Sequence, residues 1–178
     1  MSGARCDCAG APVGDPAGVV SALRRAGLTV AAGESITAGL VSATLAEVPG
    51  CSAVLRGGVV AYQADVKAHL LGVPQDVLDR GLVTSEVAEA MALGAARALG
   101  ADVGIGTTGA AGPDPHDGVP PGTVWVAVAV GTSCTSTRLQ VEGDRAAVRR
   151  AAVEACWELL TAALSGRDSA AAPAAPRE

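Results

Sequence analysis

The chain has 178 residues, no Phe, one Tyr and two Trp, and a formal charge of −5 from 13 basic and 18 acidic side chains. That length supports one domain with a real core, which must be assembled from Val, Leu, Ile and many Ala, with helices lying close on strands. The acidic balance leaves no footprint for a polyanion, so nucleic-acid binding is not expected. The longest apolar run, 124–130, is far short of the roughly 20 residues of a membrane helix.

In chain order, residues 1–16 are rich in Gly, Pro and Ala, lack the apolar centre of a signal peptide, and read as a disordered tail of a cytoplasmic protein. Residues 17–26 form an amphipathic helix with Val19, Val20 and Leu23 inward, ended by Gly27. A short buried strand follows at 28–32, then a helix at 36–48 stopped by Pro49-Gly50. Residues 57–62 are a strand, 64–71 a helix closed by Gly72, and 74–80 a helix opened by Pro74. Ser85 is placed to cap a helix at 86–99, which Gly100 terminates. A strand at 102–107 leads into a Gly/Pro-rich loop at 109–121. Residues 123–130 and 135–141 are a hairpin around Gly131. The last helix, 144–164, carries a stripe of Val148, Ala152, Cys156 and Leu159 and leaves Arg149 and Arg150 exposed; residues 165–178 read as a second disordered tail. Alternating strands and helices of this kind build an α/β fold with a mixed sheet covered on both faces.

Five scattered cysteines with no C-x-x-C spacing are expected to be reduced thiols, the Cys6-Asp7-Cys8 pair included, and no metal ligand set is apparent. His116, between Asp114 and Asp117, reads as part of a mobile solvated loop and not as a metal site, and His69 as a helix-surface residue.

In open α/β folds chemistry gathers where strands end and helices begin. Three such junctions stand out: Gly33-Glu34-Ser35-Ile36-Thr37-Ala38-Gly39, Thr107-Thr108-Gly109-Ala110-Ala111-Gly112-Pro113 and Val141-Glu142-Gly143-Asp144-Arg145. Ser35 is either the N-cap of the helix at 36–48 or a nucleophile whose oxyanion the helix N–H groups would hold. Glu34 is either a general base or an acid favoured by the helix dipole. A Ser-His-Asp triad would need His69 or His116. Lys is the other available base: Lys67 is the only lysine beside twelve arginines, and unlike Arg it can be neutralised by burial.

The first junction resembles the signature of the CinA C-terminal domain, usually Ala-Glu-Ser-x-Thr-Gly-Gly. The likeness continues through Gly58-Val59-Val60-Ala61-Tyr62-Gln63-Ala64-Asp65-Val66-Lys67, Leu70-Leu71-Gly72-Val73, Val83-Thr84-Ser85-Glu86, Thr108-Gly109-Ala110-Ala111-Gly112-Pro113, Pro121-Gly122-Thr123-Val124-Trp125 and Gly143-Asp144-Arg145. These blocks keep the family's order across residues 17–164, so the resemblance makes that span the domain. It implies a three-layer α/β/α sandwich around a mixed, mostly parallel sheet. It also implies a stand-alone form without the family's upstream nucleotide-pyrophosphatase domain, and a homodimer. The activity implied is hydrolysis of nicotinamide mononucleotide to nicotinic acid mononucleotide and ammonia, with no metal or other cofactor. Ser35 would be the nucleophile, Lys67 its base and Tyr62 an orienting or relaying group. Glu34, Ile36 and Thr37 would form the substrate side of the Ser35 turn, with backbone N–H groups of 35–37 as the oxyanion site. Thr108, Gly109 and Arg145 would bind the ribose phosphate. Where the family has Gly, this chain has Ala38, whose methyl is expected to narrow the ligand's approach. The other classes open to the same fold are a catalytically silent nucleotide-binding or regulatory module and a competence-linked DNA binder; the charge argues against the second.

Overall fold

The computed structural model describes residues 14–170, with side chains described to Ser165. The tail expectation for residues 1–13 and 171–178, and the Cys6-Asp7-Cys8 pair, lie outside the described residues.

Helix α1 (Pro16–Ala26) opens with Pro at its first position and Asp15 accepting the Gly18 N–H at 2.8 Å, and Gly27 closes it at φ 66°. It feeds β1 (Val30–Glu34), which leads through a turn into α2 (Leu40–Ala46). A single 3₁₀ turn (Cys51–Ala53) precedes β2 (Leu55–Val60). Three helices follow, α3 (Ala64–Leu71), α4 (Gln75–Asp79) and α5 (Ser85–Leu99). The chain then runs β3 (Val103–Gly109), β4 (Thr123–Val130), β5 (Ser133–Gln140) and α6 (Arg145–Ala170).

The strands form one sheet in the order β2-β1-β3-β4-β5. Strand β1 pairs parallel with β2 and β3, whereas β3–β4 and β4–β5 are antiparallel. The fold is the expected α/β with a mixed, mostly parallel sheet: four of the five strands run the same way and only β4, the first arm of the hairpin, opposes them.

Helices cover both faces. Val19, Val20 and Leu23 of α1, Val41 and Leu45 of α2, and Val148, Val153, Trp157 and Leu160 of α6 pack on Val30, Ala32, Ile105, Val126 and Val128. On the opposite face α3, α4 and α5 meet Ala31, and α5 sets Ala88 and Ala92 on Ala127 and Ala129. The chain needs no Phe here because α5 lies almost on the backbone of β3. A methyl at Gly104 would sit 1.9 Å from the Ala92 carbonyl oxygen, and one at Gly106 2.0 Å from that of Ala88. Small residues on both partners trade side-chain bulk for close backbone approach, as an interior packed to crystal density requires.

Several local expectations shift. The first strand is Val30–Glu34, two residues later than expected, because Leu28 finishes the turn closing α1, its N–H donating to the Leu23 carbonyl. Thr84, not Ser85, caps α5, accepting the Val87 N–H at 3.2 Å, and Ser85 is the first helical residue. The last helix runs on to Ala170, so the tail expected from residue 165 is helical for six residues. No helix among the described residues is long and apolar enough to cross a membrane.

Candidate active site

Strands β1 and β3 end side by side, Glu34 opposite Thr107. Beyond β1 the chain turns to α2 on one face, while the connection from β2 to β3 runs through α3–α5 on the other. A crevice therefore opens between the carboxyl ends of β1 and β3, the switch point at which open α/β sheets bind ligands.

Ser35 is the first residue past β1. Its N–H donates to the Thr107 carbonyl at 3.1 Å, and it is 8% exposed. It does not cap a helix. The expected helix at 36–48 begins only at Leu40, with Gly39 as its N-cap at φ 94° and Ala38 at φ 48° before it. Two consecutive left-handed residues cannot continue a right-handed helix, so residues 35–39 form a turn of their own.

Glu34 takes the capping role instead. Its fully buried carboxylate accepts the N–H groups of Gly39 (2.8 Å), Val41 (3.0 Å) and Ser42 (2.9 Å) and the Ser42 hydroxyl (2.7 Å). With four donors on two oxygens it is the anchor of α2, and it does not line the crevice. Thr37 is likewise buried, its hydroxyl 2.9 Å from that of Thr107. These two expected substrate-side residues build the turn from beneath.

The crevice holds a cavity of about 170 Å³ whose walls include Ser35, Ile36, Tyr62, Lys67, Thr108, Gly109 and Arg145. Seven of the nine expected site residues thus meet there, drawn from four separate segments of the chain. Ligand pockets commonly run to about 300 Å³ or more, so this one takes a single ring-sized group, with any larger remainder at the mouth.

Lys67 lies in the penultimate turn of α3 and is only 1% exposed. Its Nζ donates to the backbone carbonyl of Tyr62 at 2.8 Å. Burial lowers its pKa from 10.5 to about 8, because a charge withdrawn from water is penalised when no counter-charge replaces the solvent. The single ion pair among the described residues is elsewhere, between Arg80 and Asp76 on α4 and its end.

Tyr62 meets the site with two different atoms: its half-exposed phenol accepts from Arg145 Nη2 at 2.6 Å, and its main-chain carbonyl accepts from Lys67 Nζ. Arg145, the first residue of α6, also donates to the Gly112 carbonyl at 3.2 Å and so spans the cavity mouth. Thr108 is engaged by its hydroxyl, which donates to the Leu82 carbonyl at 2.6 Å. At Gly109 a methyl would stand 2.6 Å from Ile36 Cδ1 and 2.7 Å from the Thr123 carbonyl oxygen, so only glycine lets the second loop close on the first.

The loop at 109–121 is docked and not free. His116 and Val119 exchange backbone hydrogen bonds at 3.1 and 3.0 Å, and the Asp117 carboxylate accepts the Leu82 N–H. His116 thereby reaches the cavity wall, as do Gln63, Leu82 and Ala111. Among the described residues no group of three or more His, Cys, Asp or Glu could hold a metal ion. Ala38 is exposed and does not line the cavity, and its position demands a left-handed backbone.

One residue of the site was misjudged from sequence. Arg149, expected on the surface, is half-buried and donates Nε to the Ile36 carbonyl (3.2 Å) and Nη2 to the Thr37 carbonyl (2.6 Å). The available signal was its spacing: four residues after Arg145, it shares that residue's face of α6.

The chain matches the family model "CinA C-terminal domain" over residues 16–164. It is 42% identical over 143 residues to a putative competence-damage inducible protein of Desulforamulus reducens, covering 80% of this chain and 35% of that one. A CinA-like protein of Frankia casuarinae is 40% identical over 149 residues, covering 83% and 34%. The chain thus spans about a third of the length of these curated relatives. Among solved structures, a CinA superfamily protein from Enterobacter cloacae superposes with a TM-score of 0.82 at 29% identity, covering 92% of this chain and 98% of that one. Another from Klebsiella pneumoniae gives 0.80 at 31%, covering 83% and 94%. With the Ser35 turn, the Lys67 helix and the Gly-rich loop all inside the matched span, the chain belongs to the CinA C-terminal domain family.

Proposed function

We propose that the chain is an amidohydrolase that deamidates nicotinamide mononucleotide, with Ser35 as nucleophile and Lys67 as base. The observation that carries this reading is a buried lysine, free of any carboxylate partner among the described residues and lowered to a pKa of about 8, sharing one small cavity with a serine. A regulatory pocket has no need of such a lysine, whereas general-base catalysis does.

The chemistry follows from the groups present. Neutral Lys67 takes the Ser35 hydroxyl proton as Oγ bonds to the carboxamide carbon, and the carbonyl oxygen becomes an oxyanion. The C–N bond then breaks as Lys67 returns the proton to the leaving nitrogen, releasing ammonia. Water attacks the acyl-serine, its proton passing to Lys67 and then to Ser35 Oγ, and the acid leaves. The Ser35 N–H is already spent on Thr107, and those of Gly39, Val41 and Ser42 on Glu34. The oxyanion donors are therefore the N–H groups of Ile36, which lines the cavity, and Thr37, the next peptide; neither has a partner among the described residues. The ring with its carboxamide fills the cavity, and the ribose phosphate lies at the mouth against Arg145.

Ammonia release from the mononucleotide tests the reading. Turnover by the wild type, surviving chelation and lost in Ser35→Ala with melting temperature preserved, is the expected result. Nucleotide binding without ammonia release would make the chain a silent binding module.

A further inference from the structure

Ile36, Thr37 and Ala38 sit in a turn outside any helix, its backbone left-handed at Ala38 and Gly39, so no hydrogen-bond ladder directs the N–H groups of the turn. Something else must aim them, since a displaced donor loses most of its value in a transition state. Arg149 of α6 is placed to do so. Its fork donates to two consecutive carbonyls, Ile36 at 3.2 Å and Thr37 at 2.6 Å. In a planar trans peptide the carbonyl and the following N–H point in opposite directions. Drawing the Ile36 carbonyl toward α6 therefore turns the Thr37 N–H away from it, and drawing the Thr37 carbonyl does the same for the Ala38 N–H. Among the described residues the only other hydrogen bond to either carbonyl is from the Leu40 N–H to Thr37 at 3.2 Å.

We infer that Arg149 is a positioning residue: its bond to the Ile36 carbonyl aims the Thr37 N–H of the same peptide at the oxyanion, and its bond to the Thr37 carbonyl locks the next peptide of the Ser35 turn in place. It touches no reacting atom and acts through the peptide planes. Its charge adds to this, since a guanidinium on the carbonyl side polarises the Ile36–Thr37 peptide so that its N–H becomes a better donor. The inference rests on Ser35 as nucleophile but not on the identity of the amide substrate.

The test uses a fluorophosphonate probe besides the substrate. Ser35 Oγ displaces fluoride at phosphorus, its proton passing to Lys67, and the phosphoryl oxygen occupies the oxyanion position. Arg149→Met keeps the stem but donates nothing. It should phosphonylate Ser35 at least about tenfold more slowly and lower kcat about a hundredfold with KM nearly unchanged, the cost of a lost oxyanion donor. Arg149→Lys, which can reach one carbonyl, should fall between the two in both measurements. Arg149→Met that labels and turns over like the wild type overturns the inference, as does Arg149→Lys showing the same loss of melting temperature and of rate as Arg149→Met. Wild type labelled at Ser35 but inert toward nicotinamide mononucleotide would remove the proposed substrate and leave the positioning role standing. A wild type whose Ser35 is never labelled would overturn both.

Discussion

Lys67 is held by the main-chain carbonyl of Tyr62, 2.8 Å from its Nζ, and no carboxylate shares the site among the described residues. A carbonyl fixes the position of the amine without stabilising its charge as a carboxylate would, so burial is left to depress the pKa. A salt-bridged lysine in the same place would stay protonated and be useless as a base.

The pH dependence follows. With a folded-state pKa of about 8, only about a tenth of Lys67 is neutral at pH 7, and the neutral share grows tenfold per unit below the pKa. The kcat/KM for ammonia release should therefore climb through pH 7 and level off above about 8. Lys67→Arg, which keeps the charge but has no accessible neutral form, should be almost inactive across the range.

The same shift makes Lys67 a stability liability. Folding expels its proton between pH 8 and 10.5, so the unfolded chain binds more protons there and stability rises with pH through that window. Below pH 8 the full penalty is present, about 3 kcal/mol by linkage. Lys67→Met removes it but strands the Tyr62 carbonyl, leaving a net gain of about 1–2 kcal/mol. Thermal melts at pH 7 should show the inactive variant above the wild type, with the gap closing near pH 10.

Tyr62 and Arg145 can be separated from Lys67 by substitution. Tyr62→Phe leaves the orienting carbonyl in place and removes only the phenol that Arg145 holds. It should keep kcat within a few-fold, whereas a lost proton-transfer group costs roughly a hundredfold or more. Arg145→Ala should raise KM for the mononucleotide about ten- to a hundredfold through a lost charge-assisted phosphate contact. Initial-rate kinetics on both variants decide it, and an unmoved KM in Arg145→Ala would place the phosphate elsewhere.

Ala38 offers a test away from the chemistry. At φ 48° its Cβ strains the backbone by about 1–2 kcal/mol, part of which glycine would return to the unfolded state as entropy. Ala38→Gly should stabilise the fold by roughly 0.5–1 kcal/mol in denaturant titrations and leave KM unchanged. A large fall in KM would instead mean that the methyl does restrict the substrate.

Periodicity and punctuation in the sequence were enough for the element order, the α/β class with a mixed sheet, the inward faces of α1 and most of α6, and the family through its ordered motifs. Lys67 stands out as the single lysine beside twelve arginines, and the fold buries it in the cavity wall. These features are local, or depend on side-chain type, and both can be read along the chain. What the tertiary structure decided is which way groups point. Glu34 adjoins Ser35 in sequence, yet successive residues leave a strand on opposite faces, and so it anchors α2 instead of serving as a base. Tyr62 contributes its carbonyl to Lys67 and its phenol to Arg145, a division invisible in a one-letter code. Arg149 reads as a surface charge until α6 is laid across the Ser35 turn, 112 residues away in the chain at Thr37. Hydrogen bonds across such separations depend on how sheet and helices pack, and no local pattern of residues encodes that.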